Sequence, residues 1–209
     1  MRSGELTGEE GATRSAQLWL QNLFLLSGVA ALAYQVCWQR ILFFSFGTEI
    51  ESITIVVSTF MLGLGLGALT GGWFADRYPK HIILMFAAAE LGIGLFGLAS
   101  PWLITWAGDL FVGSGHGATA VASFAPLLIP TSLMGATLPM LVAHFLRVYG
   151  NVGLSVGQLY FVNTLGAAVG CLGVGFLAFH FLTLIQVIYL AAAVNVFVSS
   201  TGFLTLRAR

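Results

Sequence analysis

The sequence predicts an all-α integral membrane protein with six transmembrane helices, and three observations support this fold class. Of the 209 residues, 58% are hydrophobic and only 8% are charged, whereas a soluble domain carries about 25% charged residues. The mean hydropathy is +0.94, and the apolar residues are gathered into six long segments. A chain this poor in charge cannot cover a water-facing surface, so the lipid bilayer is its expected partner.

Each of the six segments is long enough to cross a bilayer, which requires roughly 20 mainly apolar residues. The predicted helices cover residues 18–46, 53–74, 82–100, 118–146, 156–179 and 182–206. The fourth contains Pro126, Pro130 and Pro139, which a membrane bundle tolerates because neighbouring groups satisfy the freed carbonyls. Residues 101–113 are too short to span, and their two tryptophans predict a separate half-helix at the interface.

Two units follow from these segments. Residues 1–16 are polar and mixed in charge, without the basic-then-apolar order of a cleaved signal peptide, which predicts a short, mobile cytoplasmic tail. Residues 17–209 form the predicted six-helix transmembrane domain. By the positive-inside rule, the side that carries most Lys and Arg residues is cytoplasmic, with both termini inside. The basic residues on that side are Arg2, Arg14, Arg77, Lys80, Arg147, Arg207 and Arg209.

Glycines recur at four-residue intervals in the second and fifth predicted helices. Helix two has Gly63, Gly67 and Gly71, and helix five has Gly166 and Gly170. This spacing produces a flat strip along which a neighbouring membrane helix can approach closely. Each strip lies in the middle helix of a set of three, so the sequence predicts a half-facilitator-like 3+3 inverted repeat.

A looser form of the dinucleotide-binding fingerprint also fits the second helix, through Gly63, Gly65 and Ala68. That motif requires a strand before the glycines and a helix after them. Here an uninterrupted apolar run precedes the glycines, and the helix-ending pair Tyr78 and Pro79 follows. The packing-helix interpretation is therefore preferred, and no cofactor is expected.

The end of the second helix resembles the loop signature of the major facilitator superfamily. The sequence "GGWFADRYPK" carries Gly72, then Asp76 and Arg77, then Lys80. The resemblance implies a loop latch, in which Asp76 accepts backbone hydrogen bonds at a helix end and Arg77 reaches a neighbouring helix terminus. A charged interfacial loop that only sets topology is the alternative, and both interpretations stay open.

A second resemblance extends over nearly the whole chain. Four segments, in order, resemble the first, third, fourth and fifth helices of the membrane-bound spermidine synthase-like family. They are "LSGVAALAYQVCWQRILFFSFG" (26–47), "AAELGIGLFGL" (88–98), "PTSLMGATLPML" (130–141) and "VGQLYFVNTLGAAVGCLGVGF" (156–176). The resemblance implies a facilitator-like membrane half, which in that family is joined to a soluble aminopropyltransferase-like domain.

Two departures from that family limit what the resemblance implies. The sequence ends at Arg209, shortly after the sixth helix, so we expect neither the aminopropyltransferase domain nor any enzymatic activity. The tyrosine of the family's first helix is followed by a glutamate, whereas here Tyr34 is followed by Gln35. Because glutamine cannot ionise, a role of this position in proton coupling or cation binding loses support.

Polar residues at membrane depth are rare and are treated as candidates for function. Glu90 lies within the third helix, and Asn163 and Tyr160 enter from the same side on the fifth. Since Glu90 and Asn163 have similar depths, we expect them to share a hydrogen-bond network. The network either binds a solute or a proton, or only holds the helices together.

A second polar cluster, near the outer end of helix one, contains Tyr34, Gln35, Trp38 and Arg40. Tyr34 and Trp38 are four residues apart and share a helix face. One interpretation is an aromatic belt with a snorkelling arginine. The other is a substrate site in which the aromatic faces receive an ammonium ion.

The cysteine and histidine positions predict no metal site. Cys37 and Cys171 have no metal-binding spacing and are expected to be buried as small hydrophobic side chains. The histidines at 116, 144 and 180 are scattered near helix ends.

Two functions compete. The first is a non-catalytic accessory or structural subunit of a larger membrane complex, packed through its glycine faces. The alternative is a homodimeric half-transporter for a small cationic or amino-acid-like solute, because a facilitator fold needs two halves around a midplane site. The accessory role ranks first, since only one carboxylate lies deep in the membrane. We expect a multi-pass protein of the cell inner (plasma) membrane, whose partners are other membrane subunits or a second copy and not nucleic acid.

Overall fold

The computed structural model describes the backbone of residues 2–46, 49–110 and 116–207, with side chains over 15–44, 50, 53–106 and 125–204. All regular secondary structure in these residues is helical. The helices are α1 (Arg2–Phe46), α2 (Glu49–Arg77), α3 (Ile82–Leu110), α4 (His116–Tyr149), α5 (Val152–Leu172), α6 (Phe179–Phe181) and α7 (Leu184–Arg207). A 3₁₀ turn over Pro79–His81 joins α2 to α3, and π-helical turns over Gly173–Ala178 join α5 to α6.

Six stretches of the described chain are long and apolar enough to cross a membrane, which confirms the predicted number of spanning helices. They are Ser15–Phe44, Ile53–Arg77, Pro79–Trp106, Ala125–Tyr149, Val152–Phe181 and Leu184–Leu204. Helix α4 is continuous through Pro126, Pro130 and Pro139. The residues that fit a dinucleotide fingerprint lie inside α2, with no strand before them, as the packing-helix interpretation predicts.

The chain that precedes the first predicted span is helical. Helix α1 begins at Arg2 and runs without a break to Phe46. The predicted boundary between a tail and a first helix is therefore not a break in secondary structure, and no proline lies among the polar residues.

The predicted interfacial half-helix is not a separate element, because α3 continues through Pro101 to Leu110. Proline lacks the N–H that would bond the carbonyl of Gly97, four residues earlier. Ser100 Oγ donates to that carbonyl at 2.9 Å, and this bond allows the helix to continue. Beyond the proline, Trp102 and Trp106 are exposed and stacked, with ring centroids 5.9 Å apart, as is typical of a membrane interface.

A tight turn joins α4 to α5. Gly150 has a φ of 67°, which favours glycine, and its N–H donates to the carbonyl of Leu146 at 2.8 Å. The Asn151 side chain then accepts from the N–H of Leu154 at 3.0 Å. The sequence Gly-Asn thus ends one helix and caps the next.

Glycines bring α2 against α4. A Cβ at Gly67 would collide with the backbone of Ser132, and a Cβ at Gly71 would lie 2.6 Å from Ala136 Cα. Because both residue numbers increase by four between these contacts, α2 and α4 run in the same direction. Gly63 lies one turn earlier, against Thr131.

A second glycine contact brings α5 against α1. Gly166 lies against the backbone of Leu25, and a Cβ at Gly170 would lie 2.9 Å from Val29 Cα. These two helices also run in the same direction. Among the other contacts, α3 packs on α4 and α7, and α7 packs on α1.

Two hydrophobic clusters form the core of the bundle. One contains Ala30, Ile93 and Ala192, and the other contains Phe24, Phe86 and Val198. On each of α1, α3 and α7 a buried polar residue lies between the two clusters. These residues are Ser27, Glu90 and Asn195.

Candidate functional site

Glu90 lies at the meeting point of three helices, and its side chain is completely buried. Ser27 Oγ on α1 donates to Glu90 Oε1 at 2.6 Å, and Asn195 Nδ2 on α7 donates to Oε2 at 2.7 Å. One carboxyl group on α3 thus joins α1 to α7, and each of its oxygen atoms accepts a hydrogen bond. Ser27, Glu90 and Asn195 are called the Glu90 site below.

The Glu90 site has no basic partner among the described side chains. Arg40 lies over the ring of Phe179, with 4.3 Å from its guanidinium carbon to the ring centroid, and Arg147 donates to the carbonyl of Pro79. The Ser27 bond has the length of an O–H donor on a carboxylate. A charge buried without a counter-charge is costly in a low-dielectric interior, so the two neutral donors offset only part of this cost.

Asn195 has a second polar atom, which no described residue satisfies. Its Oδ1 is buried without a hydrogen-bond partner. This free acceptor belongs to the same amide group that donates to the Glu90 carboxyl group. Gly94 on α3 allows the close approach, since a Cβ there would lie 3.3 Å from Asn195 Cβ. An unpaired buried acceptor is rare in folded proteins and calls for a bound water, an ion or strain.

A second hydrogen bond between α3 and α7 lies one helical turn away from the Glu90 site. Ser199 Oγ donates to the carbonyl of Ala87 at 2.7 Å. Ser199 and Asn195 are four residues apart, and Ala87 and Glu90 are three apart, so both bonds lie on the same pair of helix faces. This second bond helps to position Asn195 against Glu90.

The contact between α1 and α3 continues with two buried aromatic side chains. Tyr34 and Trp38 stack with ring centroids 5.0 Å apart, and Trp38 Nε1 donates to Ser100 Oγ at 2.9 Å. The Tyr34 hydroxyl lies against Gly97 and has no hydrogen-bond partner in the described part of the chain. The two rings share a face, as their spacing predicts, and both are completely buried, so neither contributes to a lipid-exposed aromatic belt.

The four residues predicted as a second polar cluster do not form one open site. Trp38 is enclosed by Tyr34, Phe60 and Phe96, which leaves no free ring face for an ammonium ion. Gln35 is half-buried, and Arg40 is exposed.

Asn163 is not a partner of Glu90, although the two residues have similar depths. Its Oδ1 lies 2.9 Å from the position that a Cβ would take at Gly28 of α1. Helix α5 packs on α1 and α4, whereas Glu90 faces α1 and α7. The predicted network is therefore absent in this conformation, and Tyr160 is 60% exposed.

The loop residues predicted as a latch, Asp76, Arg77 and Lys80, are exposed. None of their side chains makes a hydrogen bond or ion pair with another described residue. The bond that holds this loop comes from α4, where Arg147 Nη1 donates to the carbonyl of Pro79 at 2.9 Å. The latch stays a prediction.

Cys37 is buried, as predicted, but Cys171 is exposed, and both are free thiols. The prediction for Cys171 was wrong because it lies on the side of α5 that faces away from α1. In the described part of the chain, no group of three His, Cys, Asp or Glu residues is placed to hold a metal ion.

Two members of the Glu90 site, Ser27 and Asn195, were missed by sequence reasoning. Asn195 offered a signal, because it is the only amide in the apolar run 187–198, and amides at membrane depth hydrogen-bond across helices. Ser27 offered none, since serine also occurs in membrane helices as a small packing residue.

Comparisons with known proteins give partial similarities. A polyamine aminopropyltransferase of Oceanobacillus iheyensis is 20% identical over 171 residues, which are 82% of this chain and 32% of that protein. Inositol transporter 4 of Arabidopsis thaliana is 32% identical over 127 residues, which are 57% of this chain and 21% of the transporter. Probable inositol transporter 3 of the same plant is 31% identical over 128 residues, again 57% and 21%.

The chain thus spans less than a third of the aminopropyltransferase and about a fifth of each transporter. No family model matches the chain, and no solved structure matches it. Together with six apolar helices, these similarities fit a facilitator-like membrane half.

Proposed function

We propose that this chain is one half of a transporter for a small polar solute and that it has no enzymatic activity. The observation that carries the proposal is a repeated pattern of helix pairs. The α2–α4 pair has a counterpart in the α5–α1 pair, and the α3–α4 pair has a counterpart in the α7–α1 pair. Exchanging the first three spanning helices for the last three reproduces every one of these pairs. We infer a 3+3 inverted repeat, which is characteristic of transporter halves, with both termini cytoplasmic.

Similarity to the inositol transporters supports transport over the accessory-subunit hypothesis. It covers 57% of the chain at 32% identity, whereas neither the helix contacts nor the comparisons support an accessory role. The solute class that we propose is a small cation, an amino acid or a polyol. The similarity to an aminopropyltransferase covers only 32% of that enzyme, and we assign it to the membrane helices and not to a catalytic domain.

A second copy of the chain is the proposed partner, because α2 and α5 are the least enclosed spanning helices. Their buried shares are 28% and 17%, against 44 to 50% for the other four. Small exposed residues follow the outer side of each helix at intervals of three, four or seven residues. They are Ser58, Gly65 and Ala68 on α2, and Gly157, Thr164, Ala168 and Cys171 on α5. Small residues allow close helix approach in lipid, so we propose that α2 of one copy packs on α5 of the other in the plasma membrane.

Uptake into proteoliposomes, combined with cross-linking, tests this proposal. On the basic side, α2 ends at Arg77 and α5 begins at Val152. Ser58 lies as many residues from Arg77 as the native Cys171 lies from Val152, so the two residues should have the same depth in the membrane. The Ser58→Cys variant should therefore form a disulfide-linked dimer on oxidation. Labelled inositol, spermidine and an amino acid are offered in parallel, and we expect uptake of one of them to fall on cross-linking and to return on reduction.

The matched control is Ser58→Cys with Cys171→Ser, which should give no dimer by the α2–α5 route and should keep its uptake after oxidation. Absence of uptake of all three solutes, together with constant-ratio purification with another membrane protein, would contradict the proposal and restore the accessory role.

A further inference from the structure

We propose that the Glu90 site binds one small monovalent cation, of the size of Na⁺, through the Glu90 carboxylate, the free Oδ1 of Asn195 and the Ser27 hydroxyl oxygen. The proposal rests on contacts within a single copy of the chain. It goes beyond the proposed transport function and does not depend on it.

Charge is the first argument. Ser27 Oγ and Asn195 Nδ2 donate to the two Glu90 oxygens at 2.6 and 2.7 Å, and such donors stabilise the ionised form of a carboxyl group. In its ionised form, Glu90 carries one negative charge in the bundle interior, and none of the described side chains supplies a cationic partner for it. Ionisable groups at membrane depth are normally paired.

The free acceptor of Asn195 is the second and independent argument. A proton on Glu90 would remove the negative charge, but one polar atom of the Asn195 amide would still lack a partner, whichever way the amide is turned. A cation satisfies the charge and the free Oδ1 together. Carboxylate, amide and hydroxyl oxygens are the ligands that hard cations prefer.

The burial of the site and the single charge of Glu90 indicate which kind of cation would bind. All three side chains are nearly or completely buried among packed helices, which favours a bare ion over a larger organic ammonium ion. A single carboxylate balances a single positive charge. A bare monovalent ion meets both conditions, whereas the proposed transported solute does not enter this site.

Thermal unfolding of the purified full chain in detergent micelles tests the site, with Na⁺ replaced by choline at constant ionic strength. Above the dissociation constant, each tenfold rise in Na⁺ should raise the folding equilibrium constant tenfold, because only the folded chain binds the ion. The unfolding temperature should therefore rise with the logarithm of the Na⁺ concentration. Glu90→Gln should abolish this dependence.

Ser100→Ala is the matched control, since Ser100 also joins α3 to α1 but accepts from Trp38 and makes no bond to Glu90, and it should keep the Na⁺ dependence. Equilibrium dialysis of the unsubstituted chain against radioactive Na⁺ adds a readout that needs no variant, with about one ion per chain expected at saturation. An unfolding temperature that ignores Na⁺ and responds only to pH would overturn the proposal in favour of a protonated carboxyl group. A Na⁺ dependence that survives in Glu90→Gln would overturn it as well. Neither measurement uses solute uptake or a second copy, so failure here leaves the proposed function standing.

Discussion

The contact between α2 and α4 and the Glu90 site hold helices together by opposite means. At the first, Gly67 and Gly71 let two backbones meet, since their nearest neighbours on α4 are backbone atoms and the Cβ of Ala136. At the second, a carboxyl group and two polar side chains bridge three helices. Shape alone maintains the first contact, and hydrogen-bond chemistry maintains the second. They should therefore fail under different substitutions.

The largest loss of folding stability is expected from an added side chain at the glycine contact between α2 and α4. Gly67→Leu places four carbon atoms where the backbone of Ser132 already lies, and overpacking of this kind costs about 3 kcal/mol or more when backbone must move. The unfolding temperature in detergent measures the loss.

Gly65→Leu is the matched control for that substitution. Gly65 lies on the exposed side of the same helix, in the surface proposed to meet a second copy, and a Cβ there meets nothing within 4 Å in its own copy. In monomeric protein its effect should therefore be within about 0.5 kcal/mol apart from a small gain in helix propensity. Equal losses in both variants would show that α2 and α4 do not meet along this face.

A smaller loss of folding stability is expected when a polar side chain is removed at the Glu90 site. Asn195→Ala deletes the donor to Glu90 Oε2 and leaves a buried acceptor unsatisfied, which costs about 1 to 3 kcal/mol. Measured in choline, without Na⁺, the loss reports the hydrogen bond alone.

Asn163→Ala provides the comparison, because the same amide is removed from a half-buried position that makes no bond to Glu90. Its cost should stay below about 1 kcal/mol. A larger loss for Asn163 than for Asn195 would favour the partner that the sequence predicts over the one that the structure shows.

The contrast between Asn163 and Asn195 shows what sequence patterns could and could not predict. Hydropathy predicted all six spans, and the four-residue glycine spacing predicted close helix approach, because both are properties of a single helix. The partner of Glu90 depends on how helices are arranged around it. Depth along a helix can be counted from the sequence, whereas the direction that a residue faces in the bundle cannot. The sequence therefore predicted Asn163 as the partner and missed Asn195, whereas α7 packs on α3 and α5 packs on α1 and α4.

Pro101 teaches the same lesson within one helix. The short length of residues 101–113 and their two tryptophans predicted a separate half-helix, and Pro101 does remove one backbone donor at its start. The neighbouring Ser100 supplies a hydroxyl donor to the freed carbonyl of Gly97, and it also accepts from Trp38 on α1. The Ser100 side chain thus stabilises the helix at Pro101, and neither composition nor hydrophobic periodicity predicts such a bond.

The smallest effect is expected at Ser100, which combines the two kinds of contact. Ser100→Ala removes the acceptor for Trp38 Nε1 and the donor to the Gly97 carbonyl, yet alanine fits the space and favours the helix. We expect a loss of about 1 kcal/mol, measured by thermal unfolding. Thr105→Ala is the control, since Thr105 donates to the Pro101 carbonyl from an exposed position, where water can replace the bond. If both variants lost equal stability, the buried Trp38 bond would add nothing to the bundle, and Ser100 would act only within its own helix.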